Sequence, residues 1–274
     1  MRKRTLILFI LLVGSVAVTV HSNVISSPLQ GILDKIEMRR NQWTAMEADI
    51  TLYFMAEAKS QAACRGELTY HRLEEKIFLK CFGESGKLLF SFKTNDDAFE
   101  LYIPPKDTKI TGSIFDLEDS PDIEAHLKPL DLYRALKPMA IFPDRSHIDD
   151  WKADLITLSV FGQRHLTPYL QRKLFVSSQG DILKEIYYSF TEVPFLTIRR
   201  TDFQTFGLAD SRGSGKVFYP KQIVIDTHPR QKSIALTFDS LRFFSYLEKT
   251  DWPLETTANT RVLSLEEFSE KNND

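Results

Sequence analysis

The stretch GKLLFSFKTNDDAFELYIPP, residues 86–105, decides how the chain is read. On either side of Asn95-Asp96-Asp97 the residues alternate at a period of two. Successive side chains of a strand point to opposite faces, so Leu88, Phe90 and Phe92 share one face with Phe99, Leu101 and Ile103 once the ribbon turns back. A hairpin with one face of large apolar groups needs a cover. A packed core supplies it in the ordinary case; a bound apolar guest is the other possibility.

The same period extends outward. Alternating strands are predicted at 48–57, 64–72, 76–83, 86–94, 98–104 and 107–113, then at 154–162, 168–178, 181–190, 195–206, 217–227 and 233–244. Their connections are short and carry Gly, Asn, Asp or Pro, as in an antiparallel meander. Ser27-Pro28 is a helix start, and Leu29, Ile32, Leu33, Ile36 and Trp43 follow at a helical period over 28–45. A second helical segment at 119–138 begins at Ser120-Pro121. It carries Ile123, Leu127, Leu130, Tyr133 and Leu136 on one stripe and is bent at Pro129. Eleven or twelve twisted strands cannot lie flat; they curl or split into layers, and the helices cover what is left open.

The chain has 274 residues, a net charge of −2 and 43 % hydrophobic residues, ample for one large core spanning 28–251. So even a balance excludes the basic face of a dedicated nucleic-acid binder. MRKR followed by the uncharged run Thr5 to Val20 reads as an export signal over 1–22, with Val20-His21-Ser22 at the cleavage point; an uncleaved anchor through 5–20 is the alternative. With no Cys after that run, lipid attachment there is not expected. Beyond Asp251 the sequence, 252–274, reads as a polar, frayed tail ending in EEFSEKNND.

Cys64 and Cys81 fall on neighbouring strands of an exported chain. A turn centred on Glu74-Glu75 would set Cys81 near Leu68 and Cys64 near Ser85, so a bridge needs a shifted register or a bulge. It is left open. No metal is expected, because the two Cys stand apart from His and the six His have no ligand spacing. His147-Ile148-Asp149-Asp150 reads as a solvated loop. Asp116, Glu118, Asp119 and Asp122 lack calcium-loop spacing. Arg212-Gly213-Ser214-Gly215-Lys216 lacks the first Gly and the Ser/Thr of a phosphate loop and precedes a strand. Gly83-Glu84-Ser85-Gly86 lacks the second Gly of a nucleophile elbow. No catalytic residue and no cofactor are therefore expected.

Helix, six-strand meander, helical insertion and second strand group together resemble the LolA/LolB superfamily of bacterial lipoprotein carriers and receptors. The residues carrying the resemblance are Trp43 before Ala48-Asp49-Ile50; Arg65-Gly66-Glu67-Leu68-Thr69-Tyr70-His71-Arg72; Phe82-Gly83 with Gly86 to Phe90; Leu101-Tyr102-Ile103-Pro104; and Thr111-Gly112. It covers 28–138 and is topological beyond. The resemblance implies a mainly β (α+β) fold: an incomplete antiparallel barrel of about eleven strands with an N-terminal helix and a helical lid insertion over an apolar cavity. It implies Trp43, Ile50, Leu52, Phe54, Leu68, Tyr70, Phe90, Phe92, Leu101 and Ile103 as cavity wall, and Leu127, Leu130, Tyr133 and Leu136 as lid. The expected partner is a lipid or acylated lipoprotein, with an envelope transport or sensor protein beside it, the chain being a periplasmic monomer. A packed β scaffold for protein–protein contact in the envelope is the rival expectation. Family receptors carry an apolar tip between the third and fourth strands, where this chain has the polar Gly83-Glu84-Ser85-Gly86.

Overall fold

The computed structural model describes residues 27–56, 59–95, 97–119, 129–210, 215–228, 232–247 and 252–272. The expected signal at 1–22, the helix start at Ser120-Pro121, Ile123, Leu127, Arg212 to Ser214 and the turn residues Pro229 and Arg230 lie outside these. Leu130 is described by its backbone alone.

Helix α1 (Pro28–Arg40) leads into β1 (Ala45–Ala56), β2 (Lys59–His71), β3 (Lys76–Phe82), β4 (Leu88–Asn95), β5 (Ala98–Ile103) and β6 (Thr108–Ser113). Helices α2 (Ile114–Asp119) and α3 (Pro129–Leu136) interrupt the strands. Then follow β7 (Ser146–Lys152), β8 (Leu155–Arg164), β9 (Thr167–Ser177), β10 (Ile182–Tyr188), β11 (Pro194–Gly207), β12 (Lys216–Thr227) and β13 (Lys232–Phe244), and finally β14 (Arg261–Ser264) and α4 (Leu265–Asn272).

The fourteen strands of the described residues form one sheet, in the order β14-β6-β5-β4-β3-β2-β1-β13-β12-β11-β10-β9-β8-β7. Every pairing of neighbours is antiparallel except β14 with β6. The two meanders are zipped together by β1 and β13, which run in register from Ala45↔Phe244 to Ala56↔Lys232 with one bulge at Asp49/Ile50. The edges β14 and β7 are not joined, so the barrel is incomplete. It is nonetheless curled: Phe92 and Leu101 share one contiguous core with Ile198, Ile223 and Phe238 from the other half. The opening hairpin pairs Phe92 with Leu101, which puts its apolar residues on that inner face.

Three expectations change. Helix α1 stops at Arg40, where Asn41 takes the cap, so Trp43 sits in the linker and not within the helix. His147 to Asp150 lie in β7, an exposed edge strand, not a loop; Asp149 accepts a hydrogen bond from Ser159 at 2.8 Å and pairs with Lys173 at 3.2 Å. The stretch after 251 is no frayed tail. Trp252 stacks on Phe78, Glu255 pairs with Lys80 at 2.9 Å, and Thr257 and Thr260 bond Asp107, so the chain crosses the outer side of the first meander as a strap. It then covers the otherwise open edge of β6 with β14, and Leu265 and Phe268 pack against the core.

The cysteines are joined. The β2–β3 turn centres one residue earlier than expected, pairing His71 with Lys76 and Gly66 with Cys81. Cys64 is then a diagonal neighbour of Cys81 with Cα atoms 5.7 Å apart, within disulfide reach. Gly66 is required beside this bridge, because a Cβ there would lie 2.3 Å from the Lys80 carbonyl oxygen.

Candidate functional site: the inner face beneath α3

Two helices fill the concave side by different means. Helix α1 begins at Ser27, whose hydroxyl accepts from Gln30 N–H at 3.1 Å, with Pro28 in the first turn. It buries Ile32, Leu33 and Ile36 against Ile156, Leu158, Leu174 and Val176 of β8 and β9, a core of its own. It passes so near the β9–β10 turn that a Cβ on Gly180 would meet the Lys35 backbone at 2.7 Å; Gly180 also has φ +90°.

Helix α3 lies over the larger core, into which Leu132, Ala135 and Leu136 are buried. Its C-terminal carbonyls, which no helical turn can satisfy, are taken up by side chains of the sheet. Arg200 on β11 donates to the Arg134 and Ala135 carbonyls at 3.0 Å, and Tyr219 on β12 donates to the Leu136 carbonyl at 3.0 Å. Arg172 on β9 holds the next segment through the Ala140 carbonyl at 2.8 Å. Glu185 on β10, with no exposed surface, sits between these two arginines, 2.7 Å from Arg200 and 3.6 Å from Arg172, and accepts from the Tyr187 hydroxyl at 3.1 Å. On the opposite side the Tyr133 hydroxyl donates to the Glu75 carbonyl and is hydrogen-bonded with the Thr94 hydroxyl, and Lys137 pairs with Glu75 at 2.8 Å. Burial pushes the Tyr70, Tyr187 and Tyr219 hydroxyls well above the ordinary phenol range, with the charge of Glu75 adding for Tyr70 and that of Glu185 for Tyr187. All three hydroxyls stay neutral at neutral pH; Tyr187 and Tyr219 act as hydrogen-bond donors.

Two openings flank α3. A cavity of about 390 Å³ lies between α2, α3 and the β2–β3 end, walled by Tyr70, Ile114, Phe115 and Tyr133 with Arg40 and Lys137 at its rim. A narrower cleft of about 60 Å³ lies where the C-terminal ends of α1 and α3 meet β11 and β12, with Trp43, Leu136, Phe203 and Phe218 among its walls. Trp43 stands in an aromatic cluster, 5.9 Å from Tyr70, 5.8 Å from Tyr219 and 5.4 Å from Phe243.

The residues expected as wall do come together. Trp43, Ile50, Leu52, Leu68, Tyr70, Phe92 and Leu101 are buried in one core, and Phe54, Phe90 and Ile103 pack against it half-buried. Within it Trp43 and Leu136 border the narrow cleft, and Tyr70 and Tyr133 the larger cavity. Ile50, Leu52, Leu68, Phe92 and Leu101 border neither and pack against one another and their neighbours. Sequence reasoning missed the Arg172–Glu185–Arg200 group. Its signal was present: each of the three is in phase with the inward apolar residues of its strand, Arg172 with Leu174, Glu185 with Tyr187 and Arg200 with Ile198. Among the described residues no group of three or more His, Cys, Asp or Glu could hold a metal ion, and no helix is long and apolar enough to cross a membrane.

The open, curled, mainly antiparallel sheet with an N-terminal helix and a separately anchored helix on its concave side is a fold shared with several solved structures. A domain named for outer-membrane lipoprotein sorting, from Vibrio parahaemolyticus, superposes with a TM-score of 0.55 at 14 % identity, over 79 % of this chain and 94 % of its own. A LolA superfamily protein from Nitrosomonas europaea superposes at 0.51 with 15 % identity, over 83 % and 96 %. A DUF1329 family protein from Desulfovibrio piger superposes at 0.55 with 10 % identity, over 81 % and 96 %. By sequence, no family model and no curated protein matches the chain.

Proposed function

We propose that the chain binds an apolar guest, a lipid or the acyl chains of a lipoprotein, between the concave face of the sheet and α3. It does so without catalysis, as a carrier or sensor exported to the periplasm. The observation carrying this reading is the placement of α3: a short helix lying over a continuous apolar interior, beside a cavity of about 390 Å³ where apolar walls (Tyr70, Ile114, Phe115, Tyr133) meet charged ones (Arg40, Glu75, Asp97, Arg134, Lys137). Apolar burial stabilises a guest by ~0.8 kcal/mol per CH₂, so a chain of about fourteen carbons gains on the order of 10 kcal/mol before the costs of association are subtracted. No catalytic group is needed for that. The fold shared with a lipoprotein-sorting domain and a LolA superfamily protein supports the same reading.

The lid is α3, and the described geometry is its closed position. The expected wall residues Ile50, Leu52, Phe54, Leu68, Phe90, Phe92, Leu101 and Ile103 become ligand contacts when α3 lifts. Mass spectrometry of the organic extract of protein purified from a bacterial periplasm tests this: a stoichiometric lipid or acylated peptide is expected. Phe90→Glu is expected to abolish uptake, and full retention by a folded variant would move the guest elsewhere.

The tight packing of Ile50, Leu68, Phe92 and Leu101 away from both openings favours a second reading, a closed β scaffold for protein–protein contact. A clean extract from folded, monomeric protein that takes up no apolar fluorophore would support that reading over the first.

A further inference from the structure

The narrow cleft beside α3 is charged in a way that closing the fold does not require. Arg39, Arg40, Arg72, Lys137 and Arg200 line it, against the single carboxylate of Asp181. Their pairings do not balance. Arg39 meets Asp181 at 2.9 Å, Arg40 meets Glu37, Lys137 meets Glu75, and Arg172 and Arg200 share Glu185. Arg72 pairs with no carboxylate among the described residues; it donates to the neutral Trp43 carbonyl and Asn41 side-chain oxygen, both at 2.7 Å. Six cations therefore face four carboxylates, an excess of two positive charges around one small opening.

Two of the N–H groups here have nothing to bond. Arg200, 95 % buried, bonds through Nε and Nη2, while its buried Nη1 finds no acceptor among the described residues; Nε of Arg40 is in the same position. A buried guanidinium N–H without an acceptor is costly, and an anion in the cleft removes that cost at once. Burial and the neighbouring Arg40 cation hold Arg72 below the ordinary guanidinium range. The aromatic and aliphatic walls of the same cleft suit an anion attached to something apolar.

We propose that this cleft is a subsite for a phosphate group, and that the guest is an anionic amphiphile whose phosphate sits among Arg40, Arg72, Lys137 and Arg200 while its chains lie under α3. Phosphate matches the need: it offers several acceptor oxygens to forked N–H donors and up to two negative charges. The placement rests on the apolar-guest reading, but the two can fail separately.

Calorimetry on the full chain with three probes separates them: dihexanoyl phosphatidic acid, dihexanoylglycerol with the same tails and no phosphate, and inorganic phosphate. The phosphatidic acid is expected to bind at least tenfold more tightly than the neutral glyceride, and Arg72→Gln to reduce that ratio toward one. Should Arg72→Gln not fold, Lys137→Gln takes its place, with the phosphorus NMR shift of the lipid bound to the unaltered protein as an independent readout expected to differ from that of free lipid. Equal affinity for the two lipids overturns the subsite and leaves the apolar-guest reading standing. Binding of inorganic phosphate with neither lipid bound keeps the subsite, as one for free phosphate, and overturns the apolar guest. Binding of none of the three overturns both.

Discussion

Helices α1 and α3 occupy the same concave side and are held by opposite physics. Helix α1 is sealed by apolar surface: Ile32, Leu33 and Ile36 vanish into β8–β10, and its polar attachments, Lys35 to the Ser178 carbonyl and Arg39 to Asp181, lie at the margin. Each of those three side chains contributes about 1.5–3 kcal/mol from burial. Helix α3 buries apolar groups too, yet its C-terminal end is fixed by directional bonds from Arg200 and Tyr219, backed by Glu185 and Arg172. Apolar sealing tolerates no partial opening, since any separation admits water over the whole contact. An end pinned by directional bonds can serve as a pivot while the rest of the helix moves. On the proposed function, the difference separates a permanent cover from a lid.

The largest test removes the pivot. Glu185→Ala leaves Arg172 and Arg200 buried with no counter-charge, a loss of about 3–5 kcal/mol expected as a lower midpoint in urea unfolding. A loss under 1 kcal/mol would mean that α3 is held by its apolar face alone, and the contrast with α1 would collapse. Next comes the cover itself. Ile36→Ala is expected to cost about 2–5 kcal/mol in the same unfolding experiment, without changing the rate at which an apolar fluorophore exchanges. Faster exchange in that variant would make α1 part of the lid.

Reduction of Cys64–Cys81 comes third. The bridge ties β2 to β3 across a separation of 17 residues, in the wall below α3 and away from α1. For a loop of that size the stabilisation is about 3 kcal/mol on the chain-entropy account. A lower melting temperature in reductant is expected, matched by Cys64→Ser with Cys81→Ser; an unchanged melting temperature would place the stability of the first meander in its strand pairing and strap.

How much of this was legible follows from how each element signals itself. The alternation of β1–β6 and β8–β13 was plain because one face of each is buried; Ile50 and Leu52, or Leu174 and Val176, repeat at two. Strand β7 was not, because HIDDWK is an exposed edge with no buried face to enforce a pattern. Strand β14 and α4 were missed because four strand residues, with Leu263, Leu265 and Phe268 scattered among charges, carry too little period to be seen. The strand residues among those expected as wall fall in or against one core, because strand parity fixes their face. Which of them border an opening was not legible: that depends on where α3 comes to rest, and α3 is positioned by Arg200 and Tyr219, which are 65 and 83 residues along the chain from the carbonyls they bond.

The smallest effect discriminates most finely. Tyr219→Phe removes one hydroxyl from the Leu136 carbonyl and changes no charge. A single neutral hydrogen bond is worth about 1 kcal/mol, so the unfolding midpoint should fall only slightly. If α3 pivots on this end, guest exchange should quicken about fivefold, since about 1 kcal/mol on a barrier corresponds to that factor. The pH dependence supplies a control. The folded-state values of Tyr70, Tyr187 and Tyr219 are raised by burial, so the stability gained from keeping them neutral is full below the unfolded value of about 10 and is lost as the pH climbs above it. Between pH 8 and 11, approximately the span bracketing the free phenol value, the melting temperature of the unaltered protein should fall, and Tyr219→Phe should fall less steeply. A variant with the same alkaline slope would mean that Tyr219 is hydrated in the folded state, and that α3 already stands partly open at its pivot.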